Sequence, residues 1–202
     1  MTFSVRDIAP STSGDTLKHL EKTGGRGRRG TLALAGTLLF VVCSASCSSP
    51  PPKKEYATPD ALCGVSVDPG LVAPFLPAGK KISLHPDNSI QGWTLCDVGV
   101  DGTRVLSANT KWEEGSLREV AADPLNGVDV NSTTTPDKRY TYTRLGGIGL
   151  VDCQDPKRPD QQLVASVRVM KKSGSEAEMK KLITAFTEGV AGPAECARRR
   201  LG

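Results

Sequence analysis

Twelve uncharged residues, 31–42, rich in Leu, Ala and Val, follow arginines at positions 26, 28 and 29. A run this short falls below the roughly 18–20 apolar residues that cross a bilayer as a helix. Its length and basic flank match the apolar segment of a signal peptide. The small residues Ser44, Ala45 and Ser46 that follow suit a peptidase with a narrow pocket. Residues 1–29 are polar, Gly-rich and without a periodic apolar face, so they are expected to form a disordered n-region on the cytoplasmic side. This segmentation gives 1–29 as n-region, 30–47 as export segment, 48–57 as Pro-rich tether and 58–202 as a single extracytoplasmic domain.

Ser44-Ala45-Ser46-Cys47 resembles a bacterial lipobox, with Ser44 where an aliphatic residue is usual and Ser46 where Gly or Ala is usual. The resemblance implies that Cys47 carries a diacylglyceryl group, with palmitate-type acyl chains, and becomes the first mature residue. Cys43 does not compete, because Val41 and Val42 are too bulky for the preceding positions. The domain is then expected on the extracytoplasmic face of the cell membrane. Two alternatives stay open: an uncleaved single-pass signal anchor, and a secreted protein cut near Ala45. Pro50-Pro51-Pro52 favours polyproline II, a stiff spacer of about 3.1 Å per residue.

From Ser48 onward the chain has 20 Lys and Arg against 19 Asp and Glu. The formal +4 of the whole therefore comes mostly from the leader, and no nucleic-acid partner is expected. The mature part has the size of one ordinary domain.

Export also governs the cysteines. With Cys43 removed and Cys47 acylated, Cys63, Cys96, Cys153 and Cys196 remain, an even number in an oxidising compartment, and two disulfides are expected. Four cysteines allow three pairings, and sequence alone does not choose among them. The pairing we favour is Cys63 with Cys96 and Cys153 with Cys196. A zinc site is disfavoured because no C-x-x-C pair is present.

Helices are expected at 58–64 with Thr58 as N-cap, at 71–76, at 116–122 with Ser116 as cap, and at 175–190. The last is the clearest. Ser175 and Glu178 form a capping box, and Met179, Leu182, Ile183, Phe186 and Val190 share one face. Strands are expected at 80–84, 93–100, 103–112, 139–145, 148–153 and 163–169. Asp101-Gly102 predicts a tight hairpin, and Gly146-Gly147 a second turn. Residues 126–137 read as a loop, and those after Gly192-Pro193 as a short terminal turn. The expected fold is α+β: an antiparallel sheet of about five to six strands packed against a C-terminal amphipathic helix and short N-terminal helices.

A lipobox, a Pro-rich tether, Pro59-Asp60-Ala61-Leu62-Cys63, Trp93-x-x-Cys96 and a late Cys196 together resemble the small actinobacterial lipoproteins of unknown function. The resemblance covers roughly 47–196. It implies a small disulfide-linked α+β domain, like the extracellular sensor domains and lipoproteins of mycobacteria, and no known activity.

Catalytic patterns are absent from the sequence: no G-x-S-x-G, S-x-x-K, H-E-x-x-H, P-loop or dinucleotide-binding glycine pattern occurs. No cofactor and no metal are expected. The lone histidine of the mature part, His85, sits beside Pro86 in an expected exposed turn; as a general base it would need convergent partners. Trp93, Trp112, Tyr140 and Tyr142 are candidates for an aromatic recognition patch, with core packing as their commoner role. Arg198-Arg199-Arg200 reads as a solvated tail beside the last helix. The sequence thus favours a non-enzymatic envelope domain that binds a small ligand or an envelope protein. A hydrolase built on His85 and a purely structural signal-anchored protein are the alternatives.

Overall fold

Tight turns reverse the chain repeatedly, and the strands between them form one antiparallel sheet. The computed structural model describes residues 53–123, 126–129, 131–172 and 174–201. The export segment, Cys43, Cys47 and residues 50–52 lie outside the described residues, and so do the readings that rest on them. The elements run β1 (Ala61–Leu62), β2 (Val65–Ser66), α1 (Pro69–Val72), a 3-10 turn (Ala73–Phe75), β3 (Ile82–Asp87), β4 (Trp93–Val100), β5 (Thr103–Glu114) and α2 (Leu117–Ala121). There follow β6 (Thr133–Thr134), β7 (Tyr140–Tyr142), β8 (Gly146–Leu150), β9 (Gln161–Val169), α3 (Glu176–Ala191) and α4 (Pro193–Leu201).

Seven strands pair in the order β3-β4-β5-β9-β8-β7-β6, every pair antiparallel. Two meanders, β3-β4-β5 and β6-β7-β8-β9, are thus joined edge to edge through β5 and β9. The fold is α+β. The sheet has one strand more than the six expected, because Thr133–Thr134 pairs with β7 inside a stretch that reads as loop.

One face of the sheet is buried by α3. Its residues Met179, Leu182, Ile183, Phe186, Thr187 and Val190 are buried, at the spacing of one helical stripe. They meet Val98, Leu106, Ala108, Leu163, Ala165 and Val167 in the main core. Each fully buried aliphatic or aromatic side chain contributes at most about 1.5–3 kcal/mol. Ser175 caps the helix, and Glu178 returns a bond to the Ser175 N–H at 2.7 Å. On the other face a second cluster, Leu117, Val120, Val128, Ile148 and Val164, covers the β8–β9 half beneath α2.

Three local expectations are corrected. The glycines at 146 and 147 stand in β8, not in a turn; the reversal falls at residues 143–145. The reason is steric. A Cβ on Gly147 would lie 3.0 Å from Ile183 Cβ, and one on Gly149 would strike the Thr187 hydroxyl. Only bare backbone lets α3 sit this close. Tyr142 and Tyr140 are the cross-strand partners of these two glycines, and the Tyr140 ring covers Gly149.

The stretch 58–64 is not a helix. Ala61–Leu62 and Val65–Ser66 form a hairpin whose turn residues, Cys63 and Gly64, have φ of 47° and 95°. Two successive positive φ values define the tight hairpin turn that matches strand twist. The hairpin buries Leu62 and Val65 together. The third correction is α4, a nine-residue helix where a terminal turn was expected. Pro193 stands in its first turn, Glu195 near its N-terminus and Arg198–Arg200 near its C-terminus, in agreement with the helix dipole.

Both disulfides form as favoured. Cys63 joins Cys96 and Cys153 joins Cys196, with Cα atoms 5.7 and 5.6 Å apart. The first pins the β1–β2 turn to β4; the second pins α4 to the β8–β9 connection. At the start of the described chain, Glu55 N–H donates to Gly79 at 2.8 Å, Gly79 N–H donates to Lys53 at 3.1 Å, and the Tyr56 hydroxyl bonds the Pro77 carbonyl. The segment read as tether therefore engages the domain from Lys53 onward.

Candidate functional site

The turn between β3 and β4 is built by its own polar groups. Asp87 accepts from Ser89 N–H at 2.9 Å, and Trp93 N–H donates to Ile90 at 3.1 Å. Gly92 adopts φ of +75°, a left-handed conformation in which glycine carries no Cβ penalty. Its carbonyl accepts from Trp112 N–H at 3.3 Å, which ties the turn to the end of β5.

Opposite this turn stands α4. Glu195, 8% exposed, accepts from Arg198 at 2.5 Å and from Arg199 at 3.4 Å, one turn further along the same helix face. Arg199 also donates to the Thr94 hydroxyl on β4. Its side chain is only 10% exposed, and its Nε has no hydrogen-bond partner among the described residues. Burial pulls this guanidinium below its ordinary pKa, Glu195 pushes it back up, and Arg198 lowers it. Arg198 by contrast is 59% exposed and rests over the β1–β2 turn at Gly64.

Between the two walls lies a groove of about 210 Å³, lined by Asn88, Ile90, Gln91, Gly92, Trp93, Thr94, Arg198 and Arg199. None of these lining residues is acidic. Ile90 is exposed at its rim, and Lys111 Nζ lies 6.0 Å from the centre of the Trp93 ring. Trp112, on the next strand, packs beneath, with the Arg158 guanidinium 5.4 Å above its ring. The groove is therefore a cationic cleft with an apolar ledge, at the end of the sheet where β4 begins and β5 ends.

The sequence-predicted residues fall as follows. Trp93 is half-buried at the groove. Trp112, Tyr140 and Tyr142 are buried, and β7, which carries the two tyrosines, is separated from β4 by β5, β9 and β8. The four aromatics do not form one exposed patch. Arg199 is not part of a solvated tail but a buried clamp between α4 and β4. The Glu195-x-x-Arg198-Arg199 spacing was a legible signal for this, since i,i+3 and i,i+4 pairs meet on a helix face.

His85 lies in β3 rather than in a turn. Its Nε2 is 3.0 Å from the Ser83 hydroxyl, two residues back on the same exposed side of the strand. Asp97 is its cross-strand partner in register, but Asp97 directs Oδ2 to Arg104 at 3.1 Å, and Oδ1 has no hydrogen-bond partner among the described residues. Among the described residues, no three His, Cys, Asp or Glu side chains gather as a metal site, and no helix is long and apolar enough to cross a membrane.

No protein-family model matches the chain, and no curated protein or solved structure matches it.

Proposed function

We propose that the chain is an exported envelope lipoprotein, anchored through Cys47 at the extracytoplasmic face of the cell membrane, whose domain binds a ligand or partner and performs no catalysis. The reading includes the resemblance to small actinobacterial lipoproteins. The observation that carries it is the disulfide pair. All four cysteines among the described residues are joined, and such bonds persist in oxidising compartments but not in a reducing cytosol. The short apolar run with its basic flank supplies the route, and the lipobox-like Cys47 the anchor.

The test is metabolic lipid labelling of the protein and of Cys47→Ala in intact cells, with fractionation. Label on the native protein and none on the variant, with the native protein in the membrane fraction, supports the anchor. Label retained by Cys47→Ala, or a cytosolic protein with free thiols, overturns it.

One contact favours a second reading, a hydrolase built on His85. Ser83 is within hydrogen-bond reach of His85 Nε2, the first requirement for a nucleophile and its base. No acid among the described contacts orients the ring, so the pair lacks the third member that fixes a catalytic imidazole. Covalent labelling by a fluorophosphonate, abolished in Ser83→Ala, would establish this reading in place of the non-catalytic one.

A further inference from the structure

The position and charge of the groove point to a specific kind of occupant. Two guanidinium groups, Arg198 and Arg199, share a single carboxylate, Glu195, which leaves one positive charge at the cleft wall uncompensated among the described residues. The lining contributes no carboxylate of its own, and the Asn88 and Gln91 amides add neutral donors. On the facing side, Ile90, 55% exposed, and Trp93 offer apolar surface. A volume of about 210 Å³ lies below the 300–1,000 Å³ typical of drug-sized ligands and suits a smaller molecule.

The described chain begins beside Gly79, whose neighbours Lys80 and Lys81 donate their N–H groups to the Asp101 carboxylate at the β4–β5 hairpin. The groove lies at Trp93, the other end of the same strand. Eight residues of β4 put these two points about 23 Å apart, at ~3.3 Å per residue. The groove thus lies at the opposite end of β4 from the point where the described chain begins.

We infer that this groove binds a small, soluble organic carboxylate with an apolar body. The carboxylate pairs with Arg198, the more exposed of the two guanidiniums. Arg199 holds α4 against β4 and supplies field rather than contact. The apolar body lies against Ile90 and Trp93. A charge-assisted bond to an arginine is among the stronger polar contacts.

The probe is phenylacetate, titrated into the oxidised full-length protein while the Trp93 indole N–H resonance is followed, with Trp93→Phe to assign it. The expected result is a saturable shift confined to the groove. Phenylacetamide, its uncharged isostere, should bind at least tenfold more weakly. Arg198→Gln should weaken phenylacetate about five- to tenfold, and Ile90→Ser about two- to fivefold. Both side chains are more than half exposed, so neither substitution disturbs the core.

Equal binding of acid and amide, no saturable shift, or an unchanged affinity in Arg198→Gln overturns the inference. Inorganic phosphate that competes as well as phenylacetate removes the apolar component and overturns it too. Anionic phosphatidylglycerol vesicles that shift Trp93 would assign the site to lipid head groups and overturn the inference. Lipid labelling of Cys47 is scored separately: label on Cys47 with a silent groove defeats this inference alone, whereas binding by an unlabelled protein defeats the anchoring alone and leaves the groove chemistry intact.

Discussion

The indole Nε1 of Trp112 donates to the carbonyl oxygen of Arg199 at 3.1 Å, across 87 positions of sequence. Arg199 belongs to the last turn of α4, where carbonyls have no acceptor role left within the helix. One core tryptophan therefore caps the helix that walls the groove. Trp112→Phe keeps the ring packing and removes the donor. The expected cost is about 1–2 kcal/mol, read as a lower urea midpoint, with amide exchange accelerating first in α4.

The disulfides should be separable in their effects. Non-reducing peptide mapping is expected to recover Cys63 with Cys96 and Cys153 with Cys196, and no crossed peptide. The loops they close span 33 and 43 residues. Chain-entropy estimates put the stabilisation near 4 kcal/mol for each. Replacing Cys153 and Cys196 together by Ala should lower stability by up to about that amount and free α4. Replacing Cys63 and Cys96 should instead loosen the β1–β2 hairpin.

Gly149 should tolerate no side chain while Thr187 is present. Gly149→Ala drives a methyl into the Thr187 hydroxyl, which itself bonds the Ile183 carbonyl at 2.7 Å. Overpacking of this kind costs about 1–3 kcal/mol. Thr187→Ala in the same chain should recover part of the loss, and a double-mutant cycle on urea midpoints measures the coupling.

The capping boxes predict an acid limb in the stability curve. Hydrogen bonds from Ser175 hold the Glu178 carboxyl below its ordinary value near 4.5, and those from Ser116 do the same for Glu119. Bonds from Thr135 and Arg139 depress Asp137 likewise. A carboxylate depressed in the folded state adds stability above its unfolded pKa, and that stability is lost as pH falls through the folded value. Urea midpoints should therefore drop below about pH 4.5, and Glu178→Gln should flatten part of that drop. At pH 7, Ser175→Ala should cost about 1 kcal/mol.

Legibility followed the range of the interaction. The α3 stripe, its Ser175–Glu178 box and the Asp101-Gly102 hairpin are local patterns, and each stands where the sequence puts it. Gly146 and Gly147 misled because their bare backbone admits Asn126 and Gly127 on one side and Ile183, some 36 positions away, on the other, which nothing nearby in the chain encodes. Cys63 and Gly64 read as a helix end because a left-handed residue suits both a helix terminus and a hairpin. The groove was hidden for a related reason. Trp93 and the late arginines are separated by about a hundred residues, and only the pairing of β4 with β5 and the docking of α4 brings them together.

Among the four cysteines of the described residues, the two cross-links join neighbours in chain order, first with second and third with fourth. For a polypeptide threaded N-terminus first into an oxidising space, each thiol that emerges finds its rightful mate as the next to arrive. Such a chain can be oxidised correctly as it appears, with no shuffling by an isomerase, and the second bond waits only for Cys196 to clear the pore.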